Sequence, residues 1–179
     1  MKNDLDYNQA ILNSWKTNTR ITIYFIEHIT LKLWSTELPD SSKRTIGMIS
    51  SHIHNTRCMW IKMIGKNIQS LKVSIRVDPR HANRKIVIGA LAQSSQSMLK
   101  LLEACINNGG KLPTKPAWLN FPDDIIHFLT YFVAHEGHHR GQIILLARQL
   151  KHRFPSEVTN GVAMEKTIKR SRAKIKFEQ

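Results

Sequence analysis

The chain has 179 residues, of which 41% are apolar and 22% charged; 27 Lys/Arg stand against 13 Asp/Glu, for a formal net charge of +14. That size and composition describe one globular domain with a core of its own; no apolar run approaches a membrane span, and Asp4 with no apolar stretch after it argues against a secretory signal. The positive charge is concentrated: residues 41–90 hold ten Lys/Arg and one acid, and residues 151–179 hold eight against three. This asymmetry suits a nucleic acid or an anionic surface, but no reading motif accompanies it, and a solvated basic face with a basic tail is the simpler account.

Ile11, Trp15, Ile21, Tyr24, Phe25, Ile29 and Leu33 recur at helical spacing, which predicts one long amphipathic helix from about Asn8 to Leu38, stopped by Pro39 and Asp40. His28 on it has no partner at metal spacing and reads as a surface or capping residue. Ser41 and Ser42 are expected to cap a second helix over about Lys43–Ile64. On it Ile49, His52, Ile53, Thr56, Trp60 and Met63 share a face, so His52 reads as an interior ligand candidate. His54, about 200° round the helix beside Ser50, Ser51 and Cys58, reads as a rim or solvent residue.

Periodicity fades from Lys66 to Asn83, a long connection that suggests a crossover or a functional loop; within it Leu71 to Val77 alternate over seven residues, which leaves a short edge strand open. A third helix is predicted from Arg84 to Asn107, with a stop at Asn108-Gly109-Gly110. Pro113 and Pro116 mark a loop, and Pro122-Asp123-Asp124 open a fourth helix. Past Leu150, Pro155 breaks the pattern, and a basic segment follows with a short helix expected over 163–175. Four long helices and one long crossover make an all-α four-helix bundle over residues 1–155, with a basic C-terminal extension over 156–179, packed on the bundle or trailing from it.

The fourth helix carries the chemistry. Phe128, Phe132, Ile143, Leu146 and Leu150 form its core-facing stripe, and His135 and His139 lie in the middle of that stripe, one turn apart. Two imidazoles at i and i+4 can share one metal ion, and an apolar face is an expensive place for them without one. His138 at the stripe's edge and Gln142 near it read as residues that support a ligand or touch a neighbouring helix. Gly141 is expected to permit close packing. Leu129, Val133, Ile144 and Ala147 form a second stripe that packs on another helix or on a second copy of the chain.

His135-Glu136-Gly137-His138-His139-Arg140-Gly141-Gln142-Ile143, together with Thr45-Ile46-Gly47 leading to Ser51-His52-Ile53-His54-Asn55-Thr56-Arg57-Cys58-Met59-Trp60, resembles the DinB/YfiT-like family of metalloenzymes. Ser14-Trp15-Lys16-Thr17-Asn18-Thr19-Arg20-Ile21 resembles its first helix, so the likeness runs from about residue 8 to 155. The resemblance implies a divalent metal held by one histidine of the second helix and two of the fourth. At the matching positions these are His52, His135 and His139, the three that the face analysis selects.

Three imidazoles suit zinc or nickel first, and iron or cobalt after them, rather than magnesium or calcium. Three protein ligands leave a position open, as in catalytic rather than structural zinc sites. Family members are linked to thiol-dependent transfer and isomerisation or to hydrolysis, which implies a small-molecule substrate and a low-molecular-weight thiol. His135-Glu136-Gly137-His138-His139 also satisfies the H-E-x-x-H pattern of zinc proteases, but Gln142 stands where the extended form needs glycine and no sheet is expected. Glu136 is retained as a candidate general base. The competing readings are a non-catalytic, metal-stabilised bundle acting as a binding or stress-response module, and a basic nucleic-acid binder. Cys58 and Cys105 match no metal or redox spacing, which fits a reducing, cytoplasmic setting; Cys58 reads as a packed thiol rather than a reactive one.

Overall fold

The computed structural model describes residues 5–37, 43–115, 120 and 122–159. Its helices are α1 (Tyr7–Glu27), α2 (Leu31–Ser35), α3 (Ile46–Ile64), α4 (Arg84–Asn107), α5 (Ile125–Gln149) and α6 (Ser156–Thr159). Among the described residues there is no strand, only two isolated bridges, Glu37 with Thr45 and Lys111 with Asp124. None of the described helices is long and apolar enough to cross a membrane. The expected helix over 163–175, the caps at Ser41 and Ser42 and the stop at Pro39 lie outside the described residues.

Each long helix starts where a short polar side chain accepts a backbone N–H of the first turn: Asp6 for α1, Thr45 for α3, Asn83 for α4 and Asp124 for α5. α4 matches its expected span, and its stop follows from Gly109 and Gly110, at φ 65° and 81°, a region that costs other residues more. α3 begins at Ile46 instead of about Lys43. The first helix is also shorter than expected. α1 ends at Glu27, His28 caps it with its ring on Tyr24 O, and Thr30 starts the separate α2. Arg84, at the start of α4, donates to the carbonyls of Glu27 and Ile29 and satisfies the chain where it leaves the helix.

α1 and α3 each pack on both α4 and α5. One apolar cluster joins Ile11 and Trp15 of α1, Trp60 to Ile64 of α3, Met98 to Cys105 of α4 and Phe128 to Phe132 of α5. A second joins Phe25 and Ile26, Ile46 to Ile53, Val87 and Leu91, and Ile143 and Ala147 of the same helices, with Val158 of α6. The order of residues in the two clusters makes α1 and α5 parallel and sets α3 and α4 against them. Fully burying side chains such as Trp15, Phe25 or Phe128 contributes about 1.5–3 kcal/mol each. Between the clusters lies a polar layer that contains Asn18, Thr22, Arg57, Ser94 and Glu136, all buried.

Because α3 and α4 run the same way, residues 65–83 must return along the bundle. Side chains hold this crossover as a neighbouring strand would. The Asn55 amide donates to Val77 O and accepts from Val77 N, both at 2.9 Å, and Ser97 Oγ donates to Lys72 O at 2.7 Å. The alternation over 71–77 therefore marks an extended segment lying on helices, with no strand pairing. Where α3 begins, a Cβ on Gly47 would stand 2.5 Å from Trp34 Nε1, so this close approach of α2 needs glycine.

Candidate metal centre

α5 presents His135 and His139 one turn apart with their Nε2 atoms 3.2 Å apart, and α3 brings His52 against them, ring centroids 5.7 Å from His135 and 4.7 Å from His139. One nitrogen from each of the three rings lies within 4.8 Å of the other two. Nitrogens about 2.0–2.1 Å from one ion at tetrahedral angles stand about 3.3 Å apart, so the His135–His139 spacing already fits a shared ion. His139 Nδ1 is 3.2 Å from Gln142 Oε1; a proton on Nδ1 donated there leaves the Nε2 lone pair for a ligand. Among the described residues His135 Nδ1 is buried without a hydrogen-bond partner, and Tyr131 stacks on that ring at 5.7 Å.

All three imidazoles are held below their ordinary pKa, mainly by partial loss of solvent. For His135, with His139 and His52 beside it, the value falls to about 4. Neutral imidazole is the ligating form, so the trio is charge-free and available at neutral pH. The burial runs from His139, which is buried, through His135 to His52, which is exposed. His52 thus stands at the mouth of the site instead of in the interior, where its apolar stripe put it. Beside loss of solvent, His139 and, more weakly, Arg44 and Arg76 hold the His52 pKa down.

The neighbouring residues divide. His138 is exposed and touches His139 edge-on, ring centroids 5.2 Å apart, and Thr56 Oγ1 lies 3.3 Å from His52 Nε2. His54 overturns its expected place at the rim: it is fully buried, with Nε2 2.9 Å from Ile75 O and Nδ1 3.1 Å from Ser94 Oγ. The physical reason is the crossover, which covers the polar side of α3. Cys58 packs beside it, Sγ 3.3 Å from His54 Nε2, and burial pushes its thiol up to about 11. Gly141 does not serve close packing among the described residues, since a Cβ there would meet none of them within 4 Å.

Glu136 faces away from the trio's opening, into the polar layer. Its Oε1 accepts from Arg57 Nε at 2.6 Å, and its Oε2 accepts from Arg57 Nη2 at 2.8 Å, Asn18 Nδ2 at 2.8 Å and Thr22 Oγ1 at 2.9 Å. The general-base role expected of Glu136 has no support here, because both oxygens are engaged by fixed donors and the side chain is 1% exposed. Arg140 Nη1 donates to Thr22 Oγ1 at 2.6 Å and Asn18 Oδ1 at 3.2 Å. Arg57, Asn18 and Thr22 are residues that the face analysis passed over. Their signal is an interruption: Asn18 and Thr22 break the apolar stripe of α1 midway, at the level where Arg57 and Glu136 break those of α3 and α5.

A model of the DinB family matches residues 1–166 of the chain. No curated protein and no solved structure matches it. The helical architecture and the paired histidine segments on α3 and α5 agree with that match, and the chain belongs to the DinB family.

Proposed function

We propose that this protein is a divalent-metal-dependent enzyme in which His52, His135 and His139 hold the ion, and that its substrate is a small molecule attacked by a thiol or by water. The observation that carries the reading is the convergence of three neutral imidazoles from two helices, one nitrogen of each within 4.8 Å of the others. Zinc and nickel fit the all-imidazole donor set best, with iron and cobalt after them. An ion held by three protein ligands supplies Lewis acidity and an open position at which a thiol or water becomes acidic near neutral pH.

The chain's own residues add three things. Gln142 fixes the ring of His139, and Tyr131 that of His135. Exposure of His52 leaves the site open on one side for a substrate. No carboxylate belongs to the trio, so the three neutral ligands leave the ion its full positive charge, which favours reactants that arrive as anions, thiolates among them. The test is metal analysis of the purified protein beside His52→Ala and His139→Ala, followed by a screen for thiol transfer to electrophilic small molecules. The expected result is about one ion per chain in the native protein and loss of metal in both variants. Equal metal content in all three overturns the ligand assignment.

A further inference from the structure

We propose that the buried Arg57–Glu136 pair is a positioning device that sets the rotation and register of α5 against α3, and so decides whether His135 and His139 meet His52. The inference rests on the metal reading above and concerns how the trio is assembled. Glu136 directly follows His135 and precedes His139 by three residues, so any turn of α5 that moves its carboxylate moves both rings. Arg57 lies five residues beyond His52 on α3. The two helices are therefore joined twice at one level, once by the fork of Arg57 on Glu136 and once at the histidines.

The fork is demanding. A guanidinium and a carboxylate joined by two parallel bonds, at 2.6 and 2.8 Å, tolerate little rotation or slip. α1 holds the carboxylate through Asn18 and Thr22, and α4 holds the guanidinium through Leu91 O, which accepts from Arg57 Nη1 at 3.1 Å. The ring of Trp15 lies 4.5 Å from the guanidinium carbon. All four long helices thus meet in one network. The apolar clusters on either side specify size and hydrophobicity, which neighbouring registers can nearly satisfy; the network is satisfied in one. A buried ion pair adds little stability over an apolar pair of the same volume, so what this pair contributes is orientation. A one-residue slip of α5 rotates it by about 100°, which would carry both histidines away from His52.

The experiment compares full-length wild-type protein, the double variant Arg57→Met/Glu136→Leu, Arg57→Lys, and Leu102→Ala as a control in the apolar core. Each is titrated with Co²⁺, recording affinity and the visible absorption band that reports coordination geometry, and each is unfolded without metal. The double variant is expected to unfold cooperatively and yet to bind Co²⁺ at least about tenfold more weakly with an altered band, in the range found when groups supporting metal ligands are changed. Arg57→Lys keeps the charge but loses the fork, and is expected to weaken Co²⁺ binding in the same direction. Leu102→Ala is expected to lower stability and leave the band unchanged.

A folded double variant with wild-type affinity and band overturns the inference while the metal reading stands. If the double variant does not fold, Arg57→Lys decides by the same two readouts. Wild-type protein that takes up no Co²⁺ overturns the metal reading, and this inference with it.

Discussion

Two adjacent stripes of α5 hold polar residues at the same height and treat them in opposite ways. Glu136 and Arg140 turn inward, and the Glu136 carboxylate accepts four hydrogen bonds from donors on α1 and α3. His135 and His139 turn toward α3 and the surface, and among the described residues the hydrogen-bonding partner of each Nε2 is the other. The first arrangement is complete within the protein; the second has lone pairs left over. The contrast separates a structural polar cluster from a site better than burial or charge would, because a ligand is recruited where the chain leaves bonding capacity unspent.

The largest effect should come from breaking the complete side. Glu136→Ala leaves Arg57, which is 0% exposed, without its counter-charge, and is expected to lower the unfolding free energy of the metal-free protein by about 3–5 kcal/mol in denaturant titrations. Breaking the incomplete side should do the reverse. His139→Ala is expected to cost clearly less metal-free stability than Glu136→Ala, since it leaves no buried charge unpaired, and to reduce metal affinity by more than the roughly 10–100-fold typical of supporting groups. Zinc at about 100 times its dissociation constant should accordingly stabilise the wild type by about 2.7 kcal/mol and this variant much less. If both variants behave alike, the distinction between the stripes fails.

Gln142→Leu probes the boundary between the two regimes, because Gln142 supports a ring of the trio without belonging to the inner network. Loss of its contact frees the His139 ring to turn or change tautomer, and metal affinity is expected to fall about tenfold with stability little changed. Proton competition sharpens the same point. Since imidazoles held below their ordinary pKa keep more of their neutral form as pH falls through 6.5, metal should be released at a lower pH than from three unshifted histidines, with His135, at about 4, the last to charge, as chelator-competition titrations across that range would record.

The trio was legible in the sequence because its signals are local: two histidines one turn apart on an apolar stripe, and one on the matching face of a second helix. The bounds of α4 were legible for the same reason, because periodicity resumes after Asn83 and glycines follow Asn108. What escaped depends on contacts distant in the chain. The end of α1 at Glu27 has no proline or glycine to announce it, and the carbonyls exposed there are met by Arg84, more than fifty residues away. His54 has a polar helix face and would be a surface residue, had the crossover not been laid over it. Arg57 counted among the ten cations of residues 41–90 as surface charge, yet it lies in the centre of the bundle.

The smallest predicted effect tests that cover. Cys58 sits beneath the crossover with its thiol raised to about 11, and Cys105 is buried in the core with its thiol raised to about 12, in both cases chiefly by loss of solvent. Because a raised pKa leaves a thiol protonated until pH climbs toward that value, only about a thousandth of Cys58 would be thiolate at pH 8, and the thiolate is the nucleophile. Iodoacetamide at pH 8 should therefore label neither cysteine in native protein and both after unfolding, as mass spectrometry would record. Labelling of Cys58 alone, at the rate of a free thiol, would mean that residues 71–77 lift from α3. The Asn55–Val77 pairing would then be too weak to hold the crossover down, and His54 would belong with the open histidines after all.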